Sequence, residues 1–264
     1  MSAVPTALLA AAITIAILML ATWVVSLVLK NASIVDIVWG LGFVIVGWVV
    51  RLSLDHPDGR SLLLVLMATA WGLRLAVHLF IRNHGKGEDY RYRAMRRHHG
   101  ERFGIISLRT VFGLQGLMMF LVSLPVQLGQ TRHTSIGLMA IIGVVVWAVG
   151  LAFETIGDMQ LTAFKRDPAS AGQVMDRGLW RYTRHPNYFG DACAWWGIGL
   201  VAAECGIGAI GLIGPVVMTV LLVKVSGVPM LERSMAKRRP GYEDYVRNTS
   251  SFIPRPPRTP PTAT

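Results

Sequence analysis

The chain is poor in cysteine, in acidic residues and in charge of any kind. Its two cysteines, Cys193 and Cys205, lie in or beside apolar stretches, which excludes a disulfide framework or a thiolate zinc site and leaves them as small core residues. The histidines supply no ligand set: His98 and His99 are adjacent in a basic stretch without a cysteine or paired carboxylate at metal spacing, so no metal is expected. Only 16% of the 264 residues are charged, and they are clustered, while 53% are hydrophobic. That pattern excludes a soluble domain, whose surface intersperses its charges. A leader is lacking too. Met1 to Pro5 carries no positive charge and no A-x-A site is followed by a soluble chain, so the first apolar stretch is expected to remain as a helix.

What the sequence has instead is long apolar runs. Windows able to cross about 30 Å of hydrocarbon with about 20 residues each fall at 6–29, 33–51, 61–81, 106–128, 135–157, 187–203 and 206–229. They predict an all-α polytopic membrane protein with seven transmembrane helices. Twenty of the Lys and Arg residues between spans fall on one side and three, Arg51, Arg60 and Arg132, on the other. The positive-inside rule makes the rich side cytoplasmic, with the N-terminus outside and the C-terminus inside, in the inner membrane of a bacterium. The net charge of +11 is then a property of the cytoplasmic face, and nucleic acid is not an expected partner. The Asn31-Ala-Ser33 and Asn248-Thr-Ser250 sequons fall on that side and are expected to carry no glycan. Without long linkers or repeats, residues 1–254 read as one domain. The proline-rich "RPPRTPPTAT" (255–264) reads as a disordered tail.

"GIGAIG" (206–211) matches a dinucleotide-binding spacing, but it lies in an apolar span with no strand before it, and reads as a helix-packing surface. The chemistry sits elsewhere. "RNHGKGEDYRY" (82–92), "GDMQLTAFKRD" (157–167), "RYTRHPNYFGD" (181–191) and "YEDY" (242–245) mix tyrosines, carboxylates and amides among their cations. Positive-inside bias accounts for the cations and for nothing else in these runs. Arginine and lysine suit phosphates, asparagine and aspartate suit amide or ribose groups, and tyrosine stacks on rings. Tyr90, Arg91, Tyr182, Arg184, His185 and Tyr188 are therefore candidate contacts of a nucleotide-like cofactor entering from the cytoplasm. Pro186 suits a first helical position, so the third run caps a helix end. An interfacial belt of Arg and Tyr is the structural alternative.

"GLWRYTRHPNYFGD" followed by "WW", the tail "ERSMAKRRPGYEDYVRNTSSFIP", "SIVDIVWGLGF" (33–43) and "WGLRLAVHLFIRNHGKGEDYRY" (71–92) together resemble the bacterial branch of the steroid 5α-reductase superfamily. The R-H-P-x-Y element is shared with isoprenylcysteine carboxyl methyltransferases and sterol C14 reductases, so the wider pattern carries the resemblance. It implies a seven-helix enzyme that takes NADPH from the cytoplasm and reduces an activated C=C bond, as in a 3-oxo-Δ4 steroid drawn from the bilayer. Carried over by position, Asn187 and Asp191 match the stretch that holds the nicotinamide end, Asp158 matches an aspartate near the cofactor, and Lys165 a phosphate-binding cation. Asn83 matches an asparagine after the third helix, and Tyr242 and Tyr245 belong to a tail folding back over the cofactor. His185 and Pro186 stand where animal reductases have a small-residue pair, as in the methyltransferases, which keeps S-adenosylmethionine as the alternative cofactor.

Hydride addition to an enone drives negative charge onto the carbonyl oxygen, so a shielded hydrogen-bond donor is needed. Asp36, an ionisable residue inside the second span, is the candidate, kept protonated by burial. It falls where steroid reductases carry a Gln-Glu pair, with Val35 in place of the glutamine. The alternative for Asp36 is an ion pair with Arg74. Arg74 and His78 lie one helical turn apart and are expected to face one cavity, with Trp39 and Trp71 lining an apolar substrate slot.

Overall fold

The computed structural model describes residues 3–55, 58–225, 227–236 and 239–258. Lys237 and Arg238 of the basic tail, and 259–264 of the proline-rich terminus, lie outside the described residues, as do Met1 and Ser2.

Among the described residues every regular element is helical and there is no strand. Six helical stretches are long and apolar enough to cross a membrane: Ala3–Val28, Ile34–Leu52, Gly59–Asn83, Tyr90–Val122, Leu138–Arg166 and Ile207–Arg233. The remaining expected window, 187–203, is the helix Pro186–Ala203, which is not among the six. Asn187 and Asp191 in its first two turns dilute its apolar character.

The chain divides into two compact units, Met1–Gly143 with Ile198–Gly214, and Val144–Gly197 with Pro215–Thr264. In the first, α1 (Ala3–Val28) buries Ala7, Ala11, Ile15, Met19, Thr22 and Ser26 at three- and four-residue spacing, while Leu9, Ile13, Ile17 and Val24 stay exposed. Mostly small residues inward and large apolar ones outward is the pattern of a lipid-facing helix. It packs on α2 (Ile34–Leu52), and α2 packs on α3 (Gly59–Asn83). The α2–α3 crossing is backbone-close: a Cβ added at Gly40 or Gly72 would collide with the other's carbonyl oxygen.

The next span is interrupted. It begins with the basic helix α4 (Tyr90–His99), passes a 3₁₀ turn and α5 (Phe103–Ser107), widens into a π turn at Leu108–Gly113, and resumes as α6 (Leu114–Val122) and α7 (Leu124–Leu128). Of the glycines of "GIGAIG", Gly211 packs here, where an added Cβ would lie 2.6 Å from Pro125 Cα, while Gly208 abuts Ala202 and Gly206 has no neighbour within 4 Å.

In the second unit, α8 (Leu138–Arg166) and α9 (Pro186–Ala203) cross at Gly150 and Gly190, where an added Cβ on either would sit 2.5 Å from the other's carbonyl oxygen. Two turns beyond that crossing α8 carries Asp158. After α10 (Ile213–Val220) and a second π turn at Leu221–Val225, the second unit ends with α11 (Val228–Ala236), α12 (Tyr242–Asn248) and an irregular segment.

Candidate functional site

In the first unit the polar residues converge on Asp36. The loop ahead of α4 is tied to the start of α2 by the Ala32 N–H, which donates to Glu88 Oε1 at 2.8 Å, and by the Asp89 N–H, which donates to Ser33 Oγ at 2.6 Å. Arg96 closes the tie by donating to both Glu88 oxygens. Burial opposes ionisation of Glu88, but Arg96 and the Ala32 amide outweigh it and hold the carboxyl below its ordinary range. Asp89 is likewise lowered: burial opposes, and the Arg91 amide and guanidinium prevail.

This anchoring delivers two residues of α4 to α2. Arg91 Nη2 donates to Asp36 Oδ2 and Tyr92 Oη donates to Asp36 Oδ1, each at 2.7 Å, and Gln115 Nε2 donates to Tyr92 Oη at 3.2 Å. Both oxygens of Asp36 thus accept, one from a guanidinium and one from a phenol. Asp36, expected as a protonated donor, here accepts from the Tyr92 hydroxyl, and the ion pair shown is with Arg91. Arg91, expected to contact cofactor, also pairs with Asp89 at 2.9 Å and lies with its guanidinium carbon 5.3 Å from the Tyr92 ring centre.

Trp39 and Trp71, the predicted slot, are linked through Phe43, which packs edge-on against each at 5.2 and 5.4 Å. Arg74 and His78 lie half-buried one turn apart on α3, and Asn83 ends that helix with its Oδ1 accepting from Arg82. Tyr90 is exposed.

In the second unit the cluster forms where α9 starts. Asn187 Nδ2 donates to Asp158 Oδ1 at 3.1 Å, and the Tyr188 ring stacks on His185 with centres 5.4 Å apart and planes 7° from parallel. His185 Nε2 is 3.1 Å from Glu232 Oε1, the oxygen that also accepts from Arg184 Nε at 2.8 Å. Asp191 stands one turn after Asn187, half-buried, and Lys165 lies exposed in the last turn of α8 on the Asp158 face.

Arg184 was expected to contact a cofactor. It does not project toward water but lies buried, and its Nη1 donates to the carbonyls of Val246 and Thr249 at 3.0 and 2.5 Å. It holds the C-terminal segment, each charge-assisted bond being worth about 1.5–3 kcal/mol. Backbone bonds from Arg184 N–H to the Ser250 carbonyl and from Arg255 N–H to the Tyr182 carbonyl add to that clamp. Tyr245 Oη donates to the Trp180 carbonyl at 2.5 Å, and Tyr242 is buried beside it, so both act as core of the folded-back tail, while Tyr182 stays exposed. Burial first, then the Glu232 charge, pushes the Tyr242 hydroxyl up to about 12. Burial raises Tyr245 further, reinforced by Tyr242.

Four contributors were not singled out from sequence. Gln115 had a signal, a polar side chain within an apolar span. Tyr92 and Glu232 sat unremarked inside quoted runs. Phe43 carried no signal beyond its apolarity. The second unit also holds a cavity of about 630 Å³ lined by Arg177, Arg181, Tyr245, Asn248 and Arg258, described further below.

No solved structure matches the chain. A stretch of 65 residues is 35% identical to the probable O-methyltransferase ustE of Ustilaginoidea virens, covering 25% of this chain and 22% of that protein. The chain thus spans about a fifth of the length of that curated relative. A family model matches residues 22–249, and the chain belongs to that family, described as "Protein of unknown function (DUF1295)".

Proposed function

We propose that this chain is an integral-membrane, NADPH-dependent reductase of the activated C=C bond of an apolar enone, a 3-oxo-Δ4 steroid first among them. The observation that carries this reading is the Tyr92 hydroxyl of the basic helix α4, held by Asp36 and Gln115, which stand on the apolar helices α2 and α6. A phenol so placed is what enone reduction requires: a donor that turns from Asp36 to the carbonyl oxygen as that oxygen gains charge. Gln115 and the nearby Arg91 guanidinium then stabilise the phenolate left behind. Trp39, backed by the fully buried Phe43 and Trp71, offers an aromatic face that suits a flat, lipid-dissolved substrate.

The start of α9 fits NADPH. The Asn187 carboxamide, steered by Asp158, and the Tyr188 ring stacked on His185 offer the hydrogen-bonding edge and aromatic face that a nicotinamide amide and ring take. Lys165 offers a cation for phosphate. Bound there, NADPH supplies the hydride. With α9 counted as a seventh crossing, this cluster faces the cytoplasm of a bacterial inner membrane.

A second reading has its own support. The identity to a probable O-methyltransferase, with the His185–Glu232 pair, favours S-adenosylmethionine and methyl transfer to a lipid-soluble nucleophile. Melting curves of detergent-purified protein with each cofactor separate the two, because a ligand at a hundredfold its Kd stabilises by about 2.7 kcal/mol. NADPH is expected to raise the Tm, and a 3-oxo-Δ4 steroid to yield a product heavier by two hydrogens. Stabilisation by S-adenosylmethionine alone would replace the reductase with the methyltransferase.

A further inference from the structure

We propose that the arginine-lined cavity of the second unit binds a phosphate ester that carries hydroxyl groups, at a place separate from the cluster at the start of α9. Its volume of about 630 Å³ falls among small-molecule sites, which run from about 300 to 1,000 Å³. Asp158, His185, Asn187 and Tyr188 do not line it.

The walls are held by the backbone. The 3₁₀ turn Gly178–Arg181 is pinned by Tyr245 Oη on the Trp180 carbonyl, by Trp180 Nε1 on the Gly157 carbonyl, and by the Leu179 N–H on Gln160. Across from it, the Arg258 N–H donates to the Asn248 carbonyl at 2.9 Å and fixes the last described residue of the tail. Three arginines therefore reach one cavity from three anchored places: before the turn, at its end, and on the tail.

Their guanidinium groups differ from those of Arg91, Arg96 and Arg184, which are all engaged within the protein. Among the described residues, the side chains of Arg177, Arg181 and Arg258 make no hydrogen bond or ion pair. Of the two lining carboxylates, Asp244 is neutralised by Arg247, so Asp176 alone stands against three cations. Positive-inside bias places arginines on a face; it does not converge three unengaged ones on a cavity. Guanidinium forks match phosphate oxygens in pairs, while Asp176 and Asn248 offer acceptors for hydroxyl groups. A sulfonium cation is the wrong charge for such a cavity, and the inference holds whichever transfer reaction the enzyme performs.

The phosphate can come from a soluble nucleotide or from the headgroup of an anionic phospholipid, and two arms separate these. Full-length protein in phosphatidylcholine nanodiscs is titrated with adenosine 2′,5′-bisphosphate, and retention of phosphatidylglycerol is counted by native mass spectrometry from mixed nanodiscs. The Arg181→Gln/Arg258→Gln double variant, whose lost groups make no hydrogen bond or ion pair among the described residues, is expected to keep the wild-type Tm. It should weaken binding in at least one arm by about tenfold or more, two charge-assisted contacts being removed. Arg97→Gln/Arg102→Gln, an equal loss of charge at exposed positions of the first unit, should leave both arms unchanged. Loss in the nucleotide arm alone assigns a soluble ligand, and loss in the lipid arm alone assigns a headgroup. Binding in neither arm, or equal weakening by both double variants, overturns the proposal.

Discussion

A single carboxylate shows how far residue-level reasoning reaches. Asp36 was legible as exceptional, because an ionisable side chain within an apolar span is costly unless something answers it. What answers it was not legible: Arg91 and Tyr92 lie 55 and 56 residues away, and they arrive only because Glu88 and Asp89 bind the start of α2. The donor role proposed for Tyr92 is testable by substitution. Tyr92→Phe keeps the ring and the Asp36–Arg91 pair while removing the hydroxyl, so it should lower kcat by about 10²–10³, the range for loss of one oxyanion donor. The NADPH-induced rise in Tm should persist, and a variant with wild-type kcat would return the search for the donor to other groups.

At the scale of elements, hydropathy located the spans well but misjudged their ends and their interruptions. The window at 106–128 is the apolar part of a helical run that begins at Tyr90, and the polar "GDMQLTAFKRD" is, up to Arg166, the C-terminal end of α8. A sliding average reports apolarity and is blind to hydrogen-bond register, so the π turns at Leu108–Gly113 and Leu221–Val225 left no trace in it. The folding back of the tail was legible from its tyrosines and carboxylates; that Arg184 holds it through the Val246 and Thr249 carbonyls was not. The same tail makes a pH prediction. Tyr242 is raised from its ordinary 10 to about 12, by burial and then by Glu232, so the fold favours the protonated form. The stabilisation is complete below pH 10 and is lost as pH rises toward about 12. Protease sites in 242–258 should therefore open over that interval, before the spans melt. In the Tyr242→Phe/Tyr245→Phe variant, the Tyr242 part of this alkaline step should vanish, whereas a wild-type tail equally protected on both sides of the interval would contradict the sign.

For the molecule as a whole, the asymmetry of twenty cations against three fixes which loops share a side only once the number of crossings is known, and α9 decides that number. Its 18 residues are enough to cross about 27 Å at 1.5 Å per residue, yet it is not among the six apolar spans. Much of it is buried within the protein, with Ala194, Trp195, Ile198, Val201 and Ala202 fully enclosed, so protein neighbours, and not lipid, meet most of its surface. A helix in that position crosses with less apolarity than a lipid-facing one such as α1. Counted as a crossing, α9 puts the two ends of the chain on opposite sides, with Lys165, Asn187 and the tail on the cation-rich side. Without it, both ends share a side and the cation asymmetry collapses, because the loops after α8 and the tail then fall on opposite faces. Fusions of a periplasm-active phosphatase and of a cytoplasm-fluorescent protein to each terminus measure this directly. Phosphatase activity at the N-terminus with fluorescence at the C-terminus is the expected result. Fluorescence at both ends would remove α9 from the count, and with it the assignment of the cofactor cluster to the cytoplasmic face.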